Sequence, residues 1–348
     1  MDPAPLIPTA DTLPAAWPWF MALLIPSFAV HLLFMNALLG TGIIGLIHTL
    51  RSRGHHLETA RRVTKSLPFY MAFAINFGVA ALLFMQVLYG HLFYTSSILM
   101  ALWWLSALAL LLMAYGAAYW IDFKFDGLGN RRSLIWTLIV AALLLVAFVF
   151  VNNFTLMQDP RAWPRYFQAP GGTLLHWSDA TLIPRYLHFV TASVAVGGLI
   201  LALLNRHGSA ERTAGFMQWF TVATGLQFIF GGWFFLTLPS TVRLALMGAN
   251  PRATALFTAA LLGFLVTLAF GYMQRLWPSV GATIFTVLAM VLVRDAVRAI
   301  YLAPYFNMEH LTTQTQYSPM LVFGVFVVLG IGAVFYMVRL YLKGAGAP

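Results

Sequence analysis

Residues 133–157 read SLIWTLIVAALLLVAFVFVNNFTLM, 25 positions without a charged side chain. A hydrocarbon core of about 30 Å is crossed by roughly 20 helical residues, so this stretch is long enough to span a bilayer. Eight more such stretches flank it, at approximately 18–48, 67–93, 96–122, 183–204, 214–238, 253–273, 277–301 and 319–342. The chain has 348 residues, 61% hydrophobic and 9% charged, whereas about a quarter of a soluble domain is charged. The expectation is an all-α, polytopic membrane helical bundle of nine transmembrane helices, forming one domain over residues 1–348.

The formal charge of +10 invites a nucleic-acid reading, but topology accounts for it. The loops after spans 1, 3, 5 and 7, with the C-terminus, carry thirteen of the basic residues, from Arg51, Arg61 and Arg62 to Arg339 and Lys343. The opposite loops carry Arg161, Arg165, Arg243 and Arg252. The positive-inside rule then puts the N-terminus outside and the C-terminus in the cytoplasm, and no nucleic acid is needed as a partner. Residues 1–16 hold Asp2, Asp11 and several prolines without a basic residue, unlike the positive start of a cleavable signal. With no cysteine, disulfides, thiolate metal sites and covalent haem attachment are excluded.

The loops are short. The longest, 158–182, is rich in Pro, Gly and Trp and reads as a structured cap over the outer face; 302–318 is a second outer loop, and 51–66 (RSRGHHLETARRVTKS) is a charged inner connector. There is no internal repeat and no inverted pair of broken helices, so the common transporter signature is missing.

Three ionisable residues lie inside spans at similar depth: His31 in the first, His188 in the fifth and Asp295 in the eighth. Such a residue in hydrocarbon is costly unless paired or ligated, and is a functional candidate by default. His31, in PSFAVHLLFMNALLG, suits either a hydrogen bond to a neighbouring helix or an axial haem ligand; Asn36, five residues on, is a candidate supporting group. His188 lies about six residues into its span, after Arg185, and the small residues Ala192, Ser193, Ala195, Gly197 and Gly198 follow. That face admits a flat macrocycle or another helix at close range. Arg185 is placed to pair with a haem propionate or to snorkel to the interface. Asp295, between Arg294 and Arg298, is roughly 9 Å below the outer end of its span. It reads as part of one cofactor layer or as an internal Asp–Arg pair. His91, at the outer end of span 2, is a solvated interface residue or an additional ligand. His55 and His56 read as solvated, and His176, His207 and His310 as loop residues without metal-ligand spacing.

At these residues the chain resembles subunit I of the cytochrome bd ubiquinol oxidases, a nine-span family with an outside N-terminus. His31-Leu32-Leu33-Phe34 is similar to the family's high-spin haem ligand context, and Gly78-Val79-Ala80, Met85, Gly90 and Ser97 follow its second helix. Arg185-Tyr186-Leu187-His188 matches the Lys/Arg-Phe-x-His of the low-spin ligand. Arg294-Asp295-Ala296-Val297-Arg298 with Tyr301 is a degenerate form of Glu-x-Gly-Arg-Gln-Pro-Trp, with Asp for the ligating Glu. The resemblance implies an oxidoreductase or electron-transfer subunit of the bacterial cytoplasmic membrane. It implies one to three b-type haems, a chlorin-type haem being a further option, with iron held by His31, His188 and Asp295. Arg185 and Arg298 would neutralise propionates. A second membrane subunit would accompany it in the lipid, and O2 or NO would be a candidate acceptor. The chain departs from the family at three places. Residues 239–252 replace the long quinol-binding loop, which points to an external c-type cytochrome as redox partner, with quinol the other option. SSILMALWWLSALALLLM, 96–113, lacks the third-helix carboxylates of a proton path. The second ligand of the low-spin haem has only Met247 or His91 as counterparts. Two other classes stay open: a haem-poor anchor subunit, and a transporter using Asp295, Arg294 and Arg298.

Overall fold

The computed structural model describes residues 3–51 and 55–345. Ten α-helices follow one another: α1 (Trp17–Arg51), α2 (His55–Leu99), α3 (Ala101–Lys124), α4 (Arg131–Gln158), α5 (Leu182–Leu204), α6 (Ala210–Thr237), the short α7 (Ser240–Leu244), α8 (Pro251–Tyr272), α9 (Leu276–Leu302) and α10 (Tyr317–Ala345). Nine of them, all except α7, are long and apolar enough to cross a membrane among the described residues. In lipid a spanning segment must satisfy its own backbone polar groups, and a helix does so internally.

The structure differs from the sequence reading in two connections. The connector 51–66 is helical from His55 on, so α2 runs over 45 residues, with a kink at Tyr89 (φ −128°, ψ 22°). Its charges decorate a helix face: Glu58 pairs with Arg62 one turn on (3.6 Å) and with Arg212 at the start of α6 (2.9 Å), and Arg61 pairs with Asp126 (2.7 Å). His56 is not simply solvated, since its Nδ1 lies 3.1 Å from Nδ1 of His48; the His55 side chain lies outside the described residues. The stretch 239–252 is short, as expected, but folds as α7 followed by a π-turn at Ala245–Ala249. Asn250 then caps α8, its side chain accepting from the Ala253 amide at 3.0 Å ahead of Pro251 at the first helical position.

The spanning helices alternate, so their connections gather on two faces. On one face the 159–181 loop is pinned down: Leu102 N–H donates to the Gly172 carbonyl (2.9 Å), Leu174 N–H to that of Leu99 (3.2 Å), and the buried Trp163 indole to that of Leu156 (2.9 Å). This is the folded cap that the sequence suggested. On the same face Leu13 pairs with residues 312–314 (2.8 and 2.9 Å). α10 is exposed along its length.

α1 packs on α2, α5 and α4, α5 on α6, and α8 on α9. The tightest crossing is α1 on α5, where Gly40 and Gly197 touch backbone to backbone. A Cβ on Gly40 would fall 1.7 Å from the Ser193 carbonyl oxygen, and one on Gly197 2.3 Å from the Gly40 carbonyl carbon. Beside it the Ser193 hydroxyl donates to Asn36 Oδ1 at 2.7 Å, both residues buried. Apolar side chains fall into three clusters. One surrounds Trp136 and includes Phe34 and Phe189; the second surrounds Tyr89, Phe93 and Trp163 and includes Phe28 and Phe154; the third joins α6, α8 and α9 through Phe234, Phe257 and Tyr301.

Candidate functional site

Most of the polar residues singled out from the sequence lie on α1, α5 and α9, against aromatic side chains. His31 stacks on Phe28 (6.1 Å between centroids), and the Arg294 guanidinium lies over Phe28 at 4.5 Å and Phe154 at 4.8 Å. Phe28 therefore joins His31 of α1 to Arg294 of α9. His188 lies near-parallel to Phe234 of α6 (6.5 Å), and Arg185 sits over the same ring at 5.1 Å.

His31 Nδ1 lies 2.8 Å from the Ala74 carbonyl oxygen of α2. A carbonyl can only accept, so Nδ1 carries a proton, and in the neutral tautomer the lone pair is then on Nε2. Among the described residues Nε2 has no hydrogen-bond partner. A backbone carbonyl fixing one ring nitrogen is the usual way a protein orients a ligating histidine. Gly78 makes this pose sterically possible, because a Cβ there would lie 2.7 Å from His31 Nδ1. His188 is backed in the same way by Gly231, whose Cβ would approach its ring to 3.1 Å. Gln227 of α6 donates its side-chain amide to the His188 backbone carbonyl (3.0 Å), and His188 Nδ1 sits beside it without a well-formed hydrogen bond.

The arginines are arranged for more negative charge than the chain supplies. Three of them, Arg185 on α5 and Arg294 and Arg298 on α9, are turned into the bundle. Arg298 is 4% exposed and ion-paired with Asp295 one turn earlier on α9, and its guanidinium lies over the Tyr89 ring at 4.6 Å. Arg185 turns inward to the hydroxyls of Thr155 (3.1 Å) and Thr181 (3.3 Å). Its Nε and that of Arg298 are buried without partners, a cost of about 1–3 kcal/mol each if nothing else fills the position. Asp295 pairs with Arg298, and Asp179 reaches Arg185 through the Thr181 hydroxyl, so two carboxylates against three guanidinium groups leave room for an anionic group of a ligand.

The remaining sequence candidates divide. Asp295 forms the internal Asp–Arg pair, within one helix rather than between two. Asn36 supports the α1–α5 crossing through Ser193. The small-residue face of α5 is covered by helices, α1 at Gly197 and α6 at Gly198. His91 meets Phe306 of the 302–318 loop at 4.6 Å. Sequence reasoning passed over one group: His176, with Asp159 and Asp179, forms a cluster in the 159–181 loop with ligand atoms within 4.8 Å of one another. Burial alone would raise the Asp159 carboxyl, but hydrogen bonds from His176 and Arg161 outweigh it and hold it below its ordinary value. The signal was present as two carboxylates and a histidine in one loop, but their spacings of 17 and 3 residues carry no regular pattern.

Compared with known proteins, the chain matches no family model and no curated sequence.

Proposed function

We propose that this protein is a b-type haem membrane oxidoreductase subunit, or an electron-transfer subunit of one, in a bacterial cytoplasmic membrane. The observation that carries the reading is His31: its ring is oriented through Nδ1 by the Ala74 carbonyl and backed by Gly78, and its Nε2 has no hydrogen-bond partner among the described residues. The donor set fits a haem. Two imidazoles, His31 and His188, suit axial ligation in their neutral form, and the unpartnered guanidinium nitrogens of Arg185 and Arg298 suit propionates. A haem supplies reversible one-electron chemistry when bound.

The residues supply the rest. Phe28 beside His31 and Phe234 beside His188 keep water from the faces of the two imidazoles. Arg185, Arg294 and Arg298 favour negative charge there, with Asp295 as the partner already present for Arg298. Asp295 becomes a ligand itself only by giving up that ion pair, so the Asp295→Asn variant separates the two roles. The external redox partner is a c-type cytochrome, given the short 239–252 connection, and a second membrane subunit covers part of the exposed apolar surface. The Asp295–Arg298 pair also favours a second reading, a haem-poor anchor subunit in which such pairs only stabilise helices.

The test is haem content and spectrum of the purified wild type beside His188→Ala and His31→Ala. The haem reading expects His188→Ala to insert normally and to lose the low-spin component. Unchanged haem bands in that variant reject His188 as a ligand.

A further inference from the structure

The His176 cluster lies outside the haem reading and stands on its own geometry. Asp159 ends α4, the chain makes a 3-10 turn over Pro160–Gln168, and it returns through His176 and Asp179 to the start of α5. The His176 amide donates to Asn152 Oδ1 of α4 (3.1 Å), which fixes the loop on the bundle. Each carboxylate is anchored through its Oδ1. Asp159 Oδ1 accepts from Arg161 Nε (2.7 Å), and Asp179 Oδ1 accepts from the Thr181 amide (2.6 Å) and hydroxyl. The two Oδ2 atoms then face His176 Nε2, at 3.3 Å from Asp159 and 3.6 Å from Asp179.

Donor atoms about 2.0–2.2 Å from one cation in tetrahedral geometry stand roughly 3.3–3.6 Å apart. Both His176 distances fall in that range, and both are long for charge-assisted hydrogen bonds, which run about 2.7–2.9 Å. The His176 side chain is 4% exposed, and its Nδ1 is buried without a partner. An imidazole buried at that cost has its Nε2 directed at two carboxylate oxygens. A cavity of about 290 Å³ borders Asp159, His176, Asp179, Thr181 and Tyr301, large enough for water or a small ligand beside the three donors.

We propose that Asp159, His176 and Asp179 form a site for a divalent first-row metal ion, of the Zn²⁺ or Mn²⁺ class, with its open coordination positions facing this cavity. One imidazole and two carboxylates suit ions that accept mixed nitrogen and oxygen donors. Two carboxylates balance the ion's charge, and Arg161 and Thr181 orient them as outer partners.

The experiment uses the full, tag-free chain in lipid nanodiscs, stripped with a chelator and titrated with Mn²⁺ followed by the loss of the free-ion electron paramagnetic resonance signal. Zn²⁺ retained after buffer exchange is counted by elemental analysis. The expected result is one tight equivalent per chain, weakened about 100-fold in His176→Gln and in Asp179→Asn, and about tenfold in Thr181→Val. Asp179→Asn keeps the side-chain shape, so a loop disturbed by His176→Gln does not decide the outcome. A wild type that holds no equivalent of either ion overturns the site and leaves a His–carboxylate ion-pair cluster. Binding unchanged in both His176→Gln and Asp179→Asn overturns it too.

Discussion

Adding one methyl group at Gly40 tests how the α1–α5 seam is held. The Cβ of Gly40→Ala would lie 1.7 Å from the Ser193 carbonyl oxygen, whereas ordinary contact begins at 3.4 Å. The obstacle is backbone, which has no rotamer to change, so the difference of about 1.7 Å must come from the helices parting at the crossing. Overpacking of this kind costs about 1–3 kcal/mol. The same separation stretches the 2.7 Å Ser193–Asn36 hydrogen bond beyond range, which adds about 1 kcal/mol. Gly40→Ala should therefore destabilise the protein by about 3 kcal/mol, near 100-fold in the folding equilibrium. Gly116 of α3 is the control: a Cβ there meets nothing within 4 Å, and Gly→Ala within a helix gains about 0.5–1 kcal/mol. Both variants are compared by reversible unfolding in mixed micelles, followed by tryptophan fluorescence. A Gly40→Ala variant within about 0.5 kcal/mol of wild type, well below the overpacking cost, would refute the backbone-contact argument. Because α1 carries His31 and α5 carries His188, the same variant should also lower haem retention.

Ser193→Ala leaves Asn36 Oδ1 buried without its donor and should cost about 1 kcal/mol in the same unfolding assay. Gly78→Val, whose Cβ would lie 2.7 Å from His31 Nδ1, should displace the ring from the Ala74 carbonyl and weaken haem retention about tenfold; retention equal to wild type would count against His31 as a ligand. Trp163→Phe removes the indole donor to the Leu156 carbonyl and should loosen the 159–181 cap by about 1 kcal/mol, read as faster hydrogen exchange of the Leu102 and Leu174 amides.

The bundle was legible because bilayer thickness sets the length of an apolar run, and all nine expected spans coincide with helices. Their ends were less so. The charges of 51–66 look like a loop, yet Glu58 and Arg62 sit one turn apart and α2 carries them as an exposed helix face. The Asp295–Arg298 pair was visible as an i, i+3 spacing. Gly197 was visible as a close-approach position, but sequence could not say whether a helix or a macrocycle would lie against it; α1 does. The Asp159–His176–Asp179 group was out of reach, since a 3-10 turn brings its first member back to the others. The hydrogen bond between His31 and Ala74 is likewise long-range, fixed by the packing of α1 on α2 and by a glycine at 78.

The most direct measurement on the central claim is a reduced-minus-oxidised optical spectrum of the purified protein with a pyridine haemochrome assay. A haem protein of this kind gives b-type haem bands at near-stoichiometric haem, and added CO would then report an open high-spin site. Protein that is folded, monodisperse and free of haem after expression with ample haem supply would contradict the haem reading, leaving His31, His188 and the three arginines as buried structural groups.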